Sequence, residues 1–183
     1  MKNIELKIFL DDFKKIATLL KKIGARYKER LYQTDTYYNC KTGRLKLREI
    51  NNRDFELIFY QRPDGGNSKV SNYEISNIKR GQLKTIKSVL TKLLGEKNII
   101  KKQRDLWMYK NTRIHLDKVK KLGKFLELET IVKNGFKEAR VGHNEIINLL
   151  GLSKYKKYDK SYSDLFLQNA IPANRSLLID HTH

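Results

Sequence analysis

The stretch Gly43–Glu49 reads Gly-Arg-Leu-Lys-Leu-Arg-Glu, and it limits the possible folds more than any other part of the chain. Successive side chains of a strand point to opposite faces, so Leu45 and Leu47 share one face while Arg44, Lys46 and Arg48 share the other. Four more short runs repeat this two-faced code. Glu5 and Lys7 alternate with Ile4 and Leu6, and Lys102 and Arg104 form a further i, i+2 set. Arg113, His115 and Asp117 oppose Ile114 and Leu116, while Glu127 and Glu129 oppose Leu126 and Leu128. Such runs call for a sheet whose aliphatic face lies under helices and whose other face is charged.

On one strand a charged face is ordinary solvated surface. Across all five runs, however, nearly every position on that face is Lys, Arg, Glu, Asp or His, where solvated strands mix in Thr, Ser and Gln; this composition marks a site. A sheet of about eight strands can close on itself around an interior wide enough for one small ligand. Lys and Arg converging there repel one another unless a polyanion is bound, and a triphosphate meets that need. The carboxylates of Glu5, Asp117, Glu127 and Glu129 add hard oxygen ligands suited to Mg²⁺ or Mn²⁺. The expected fold is α+β, in which such a sheet can form a closed antiparallel eight-stranded β-barrel with helices packed outside.

Hydrophobic periodicity supplies the element order. Asn3–Ile8 predicts a strand. Asp11-Asp12 starts a helix carrying Phe13, Ile16, Leu20 and Ile23, with Gly24 as its stop. Extended structure follows from Ala25 to Cys40, with an irregularity early in it. Leu45–Ile50 and Phe55–Arg62 predict a hairpin around Asn51–Asp54. Pro63–Ser68 reads as a loop, Tyr73–Ile78 as extended, and Leu83–Leu94 as a second helix ended by Gly95. Ile99–Lys110 and Thr112–Val119 predict another hairpin, Lys124–Val132 a strand, and Phe136–Leu150 a third helix. Tyr155–Leu167 reads as a closing aromatic and charged segment. The domain is expected to span 1–168, with 169–183 a disordered or expression-derived tail.

Charge agrees with the anionic ligand. The 39 Lys and Arg against 20 Asp and Glu leave a formal net charge of +19 across 183 residues, which makes an anion the default partner. Cys40 is the only cysteine, so no internal disulfide forms, and the four His show no zinc spacing. With no apolar leader and no bilayer-length segment, the expected setting is the cytoplasm, without a membrane partner. A basic RNA- or polyphosphate-binding module is the rival reading. The shared carboxylates argue against it, and no nucleic-acid partner is expected. A homodimer is the commonest closed assembly and stays open here.

These runs, with Tyr60–Pro63, Lys101–Arg104, Leu122–Glu129 and Ser161–Leu165 (Ser-Tyr-Ser-Asp-Leu), resemble the CYTH superfamily over residues 1–167, in particular its class IV adenylyl cyclase branch. The resemblance implies a triphosphate tunnel acting on nucleotide or inorganic triphosphates with Mg²⁺ or Mn²⁺. It matches Lys7, Lys46, Arg48, Lys69, Lys102, Arg104 and Arg113 to phosphate-binding positions, and Glu5, Glu127 and Glu129 to metal ligands, with Asp117 a further candidate. Glu5, Lys7, Arg48, Lys102, Arg113 and Glu127 are then the expected catalytic set. Tyr162 matches a tyrosine of the C-terminal motif. The implied reaction is conversion of ATP to cyclic AMP and pyrophosphate, with hydrolysis of an inorganic, thiamine or nucleoside triphosphate as the alternative. One position departs from the family's Glu-x-Glu-x-Lys, since Asn3 replaces the first Glu. A neutral oxygen there implies weaker hold on one metal and weighs against a two-metal triphosphatase.

Overall fold

Alternation of apolar and charged side chains produces an α+β fold in which strands and helices follow in the expected order. The structure, a computed structural model, describes residues 2–61 and 69–170. Among these residues the strands are β1 (Lys2–Leu10), β2 (Arg26–Tyr38), β3 (Arg44–Ile50), β4 (Asp54–Gln61), β5 (Lys69–Asn77), β6 (Glu96–Tyr109), β7 (Thr112–Val119) and β8 (Gly123–Ile131). The helices are α1 (Lys14–Lys22), α2 (Leu83–Leu94), α3 (Phe136–Leu149) and α4 (Tyr162–Ala170). The expected loop Pro63–Ser68 and the end of the chain from Ile171 onward lie outside the described residues.

All strand pairs are antiparallel, and the ladder runs β1-β5-β4-β3-β2-β6-β7-β8. β1 pairs with β8 from Asn3↔Ile131 to Leu10↔Lys124, and with β5 from Lys2↔Asn72 to Glu5↔Lys69. The sheet is thus curled around a central cavity. Its early irregularity falls where expected, as a register shift between Tyr27 and Glu29 of β2 against β6.

Local chemistry fixes the joints. Asn51 and Asn52 both take a φ of 52°, the left-handed pair at the centre of a turn in which the Arg53 N–H donates to the Ile50 carbonyl oxygen at 2.9 Å between β3 and β4. Gly43 has a φ of 69°, and a Cβ there would lie 2.9 Å from the Phe59 ring and the Tyr60 carbonyl oxygen. Only glycine fits both constraints. The Asp12 side chain, one residue before the Phe13 N-cap, accepts the Lys14 N–H at 2.8 Å at the start of α1.

The outward aliphatic faces meet the helices in two clusters. Leu6, Ile8, Ile114, Leu116, Leu126 and Leu128 pack with Ile16 and Leu20 of α1 and Ile146 of α3. Tyr38, Leu47 and Phe55 pack with Leu83, Ile86, Leu90 and Leu94 of α2. Burying each such side chain contributes about 1.5–3 kcal/mol, which fixes the charged parity inward. A third cluster, of Tyr37, Ile100, Val119, Phe125 and Tyr162, brings Tyr37 and Tyr162 to the cavity wall.

α4 replaces the expected closing segment. Ser161 and Asp164 form a capping box: Ser161 Oγ accepts the Asp164 N–H at 3.1 Å, and Asp164 Oδ2 accepts the Ser161 N–H at 3.2 Å. Arg44 then clamps Asp164 at 2.8 Å, which sets Tyr162 at the cavity wall. No helix among the described residues is long and apolar enough to cross a membrane.

Candidate functional site

Because Leu45, Leu47 and their counterparts are held outward, the alternate residues line a cavity of about 310 Å³. Glu5, Lys7, Lys46, Arg48, Lys102, Arg104, Arg113, Glu127 and Glu129 all reach its wall. Nine of the expected site residues are therefore brought together. Lys69 stands opposite Glu5 in the ladder, and its side chain lies outside the described residues.

One half of the wall is organised by Asp35 of β2, which is almost fully buried. Arg48 donates to it twice, at 2.7 and 2.9 Å, Lys102 Nζ donates at 2.8 Å and Lys46 Nζ at 3.2 Å. Burial opposes ionisation of Asp35, but Arg48, Lys102 and Lys46 outweigh it and hold the carboxyl well below its usual range. Three cations around one carboxylate leave this half net positive. Burial, reinforced by Arg48, also pushes Lys46 down to about 7. Lys102 falls to about 8, again chiefly through burial, with Asp35 opposing the shift and Arg48 and Arg104 adding to it. The cations are thus held in place by a buried anion, so their convergence does not depend on a ligand.

The other half carries acids. Lys7 Nζ lies 3.0 Å from Glu127 Oε1 and donates to the Lys160 carbonyl at 2.9 Å. Arg104 Nη2 donates to Glu127 Oε2 at 2.6 Å, and Arg113 Nε donates to Glu129 Oε2 at 3.1 Å. Burial would raise both glutamates. Lys7, His115 and Arg104 hold Glu127 well below its usual value, and His115, Arg104 and Arg113 lower Glu129. Glu5 accepts from the Tyr73 hydroxyl. Asn3, oriented by its neighbours, accepts from Arg113 at 3.3 Å and donates to the Lys2 carbonyl at 3.0 Å.

His115, Glu127 and Glu129 offer ligand atoms within 4.8 Å of one another. The buried His115 Nδ1 has no hydrogen-bond partner and sits 3.7 Å from Glu129 Oε1 and 3.9 Å from Glu127 Oε2, beyond hydrogen-bonding reach. An orphaned imidazole nitrogen beside two ionised carboxylates fits a divalent cation.

On the cavity wall, Tyr162 donates to Asp117 Oδ2 at 2.8 Å, and its ring centroid is 4.3 Å from Lys7 Nζ. Asp117 is placed differently from the other expected metal ligands. It is fully buried behind the wall, and Arg104 takes both its oxygens, at 2.7 and 2.6 Å. Its carboxylate positions Arg104.

Sequence reasoning missed three residues. Asp35 sits between two threonines and close to three tyrosines, with no aliphatic alternation to mark its face. His115 was legible on the charged face but not as a ligand. Asp164 was legible only through its spacing from Ser161.

Comparison with known proteins places this geometry in context. The CYTH domain family model matches residues 1–162. A Methanocaldococcus jannaschii protein named as a candidate adenylate cyclase is 27% identical over 176 residues, which covers 90% of this chain and 98% of that protein. A solved structure from Pyrococcus horikoshii superposes with a TM-score of 0.77 at 23% identity, covering 89% of this chain and 98% of that one. A Hippeastrum structure, described as a candidate adenylyl cyclase with a dominant triphosphatase activity, gives 0.66 at 12% identity, covering 91% and 96%. The two structural likenesses show a shared fold.

Proposed function

The chain belongs to the CYTH domain family, and from that membership we propose that it is a metal-dependent enzyme that converts ATP to cyclic AMP and pyrophosphate within a closed triphosphate tunnel. The return of the ladder to β1 supports the tunnel. The observation that carries the reading is the pairing of two unlike half-walls in one cavity, a cationic half centred on Asp35 and an acidic half centred on Glu127. A metal-bound triphosphate is itself two-faced in this way, with oxygens for cations and a cation for carboxylates.

Each residue has a part. Arg48, Lys46 and Lys102 would hold the β- and γ-phosphates, Arg48 through its planar fork. Asp35 fixes their positions before substrate arrives, which removes reorganisation from the reaction itself. Lys7, Arg104 and Arg113 would neutralise the α-phosphate and the leaving pyrophosphate. Glu127, Glu129 and His115, with Glu5 beside them, would hold Mg²⁺ or Mn²⁺. When bound, that ion supplies Lewis-acid charge neutralisation on the phosphates. The ribose 3′-hydroxyl then attacks the α-phosphorus in line, forming one P–O bond as the bond to the β-phosphate oxygen breaks, and its proton passes to solvent. The protein's contribution is positioning and charge.

Asn3 favours the cyclase over a two-metal hydrolase. It puts a neutral oxygen where a carboxylate would serve a second cation, and it uses that oxygen to accept from Arg113. The domain is taken as 1–168 in a cytoplasmic protein.

The test is to incubate the protein with ATP and Mn²⁺ or Mg²⁺ and separate the products by anion exchange. Cyclic AMP with pyrophosphate is expected, and both should vanish in Arg48→Ala and Glu127→Ala with circular dichroism unchanged. ADP with phosphate would replace the cyclase by a triphosphatase. No product under any of these conditions would overturn both.

A further inference from the structure

The sheet carries a second basic surface on the side facing away from the cavity. Helices α1 and α3 cover one part of the outer face and α2 another. Between them Tyr32, Lys101, Gln103, Lys118 and Lys124 line a groove of about 720 Å³. Lys101 and Lys118 have the parity opposite to Lys102 and Asp117, so they belong to the outer face.

The register aligns these residues. Tyr32 stands opposite Gln103, Gln103 opposite Lys118, and Lys118 opposite Lys124, a single row across four strands. Like charges directly opposite are destabilising in a sheet, and the turn after β7 adds Lys120 and Lys121 to the same groove. The acid on the groove wall, Glu49, is held by Lys87 at 2.9 Å. Lys124 reaches the Asp11 carbonyl oxygen at 2.6 Å, and among the described residues no carboxylate pairs with Lys101, Lys118, Lys120 or Lys121. This contrasts with the cavity, where the cations pair directly with Asp35 and Glu127. At the end of the row Tyr32 is 60% exposed, an unusual place for a large ring.

We propose that this outer groove binds the phosphodiester backbone of single-stranded nucleic acid, with Tyr32 as the platform on which a base stacks. The charge calls for a polyanion, and the exposed ring selects one that carries planar groups over bare polyphosphate. A duplex keeps its base faces covered and leaves such a ring unused. The groove meets the triphosphate cavity only at Gln33 and Lys102, and the row from Tyr32 to Lys124 lies on the opposite face of the sheet.

The test uses the full chain and a fluorescein-labelled oligouridylate of about 12 nucleotides, followed by fluorescence anisotropy between about 50 and about 200 mM salt. The triple variant Lys101→Gln, Lys118→Gln, Lys121→Gln is expected to bind at least about tenfold more weakly. Its log–log salt slope should flatten by about 2, from three lost phosphate contacts at about 0.7 each. Tyr32→Ala is expected to weaken binding about fivefold or more while leaving the slope unchanged. Arg48→Ala, in the cavity, should bind as the unaltered protein does. Circular dichroism confirms folding of each variant. Affinity that survives the triple substitution, or that is lost in Arg48→Ala, overturns the proposal. Affinity indifferent to Tyr32→Ala overturns it in favour of a bare polyanion site.

Discussion

Asp35 and Arg48 face each other across β2 and β3 and meet through two hydrogen bonds, Nε to Oδ1 at 2.7 Å and Nη2 to Oδ2 at 2.9 Å. Lys46 and Lys102 converge on the same carboxylate, so one buried anion sets the position of three cations. Asp35→Asn leaves those cations facing a neutral amide. Breaking a buried pair in this way costs about 3–5 kcal/mol, read as a lower urea midpoint, and tripolyphosphate should recover part of it. An unchanged midpoint would remove Asp35 from its organising role.

Lys46 and Lys102 titrate at about 7 and about 8, below the 10.5 of an exposed lysine. As pH falls from 10.5 towards 7, the unfolded chain takes up protons that the folded one does not. The two groups therefore lower folding stability progressively across that window and by a constant amount below it. A bound triphosphate favours their charged forms, so binding near pH 8 should be coupled to uptake of about one proton. Calorimetry in two buffers of different ionisation enthalpy measures this, and proton release would contradict it.

Tyr162→Phe keeps the ring 4.3 Å from Lys7 Nζ and removes the hydrogen bond to Asp117. It should cost about 1 kcal/mol of stability. Tyr162→Ala also removes the packing on Phe125, whose ring centroid is 5.2 Å away, and should cost about 3–5 kcal/mol. Equal costs in the two variants would mean that packing of the ring on Phe125 contributes nothing to stability.

Asn3 lines the cavity beside Glu5 and Arg113. Asn3→Glu adds a carboxylate there and should tighten Mn²⁺ binding by about tenfold, measured by electron paramagnetic resonance of free Mn²⁺. Unchanged affinity would show that the acidic half-wall does not hold the metal.

Much of this was legible in the sequence because strict alternation admits one assignment of faces. Leu45 and Leu47 could only pack under α2, which turned Lys46 and Arg48 inward. The same logic placed Lys7, Arg104 and Glu127. On β2 it failed, because Gln33, Asp35 and Tyr37 alternate with Thr34, Thr36 and Tyr38, and neither set is plainly apolar. Towards the end of that strand, from Asp35 to Tyr38, both faces are in fact buried, Tyr37 lining the cavity and Tyr38 against α2. Asp117 followed the alternation, yet its partners Arg104 and Tyr162 come from β6 and α4. Those contacts depend on cross-strand register and helix docking, which i, i+2 spacing does not encode. α4 itself is only nine residues long, and its capping box was its clearest mark.

The proposed function has the Asp35-centred cations hold a triphosphate in the cavity. Its most direct test is the dissociation constant of ATP with Mn²⁺ for the unaltered protein and for Arg48→Ala, by isothermal titration calorimetry. Loss of a bidentate charge-assisted contact predicts binding weaker by about a hundredfold, with the far-ultraviolet circular dichroism unchanged. Equal affinity in the two proteins would mean that the Asp35-centred cations do not hold the triphosphate.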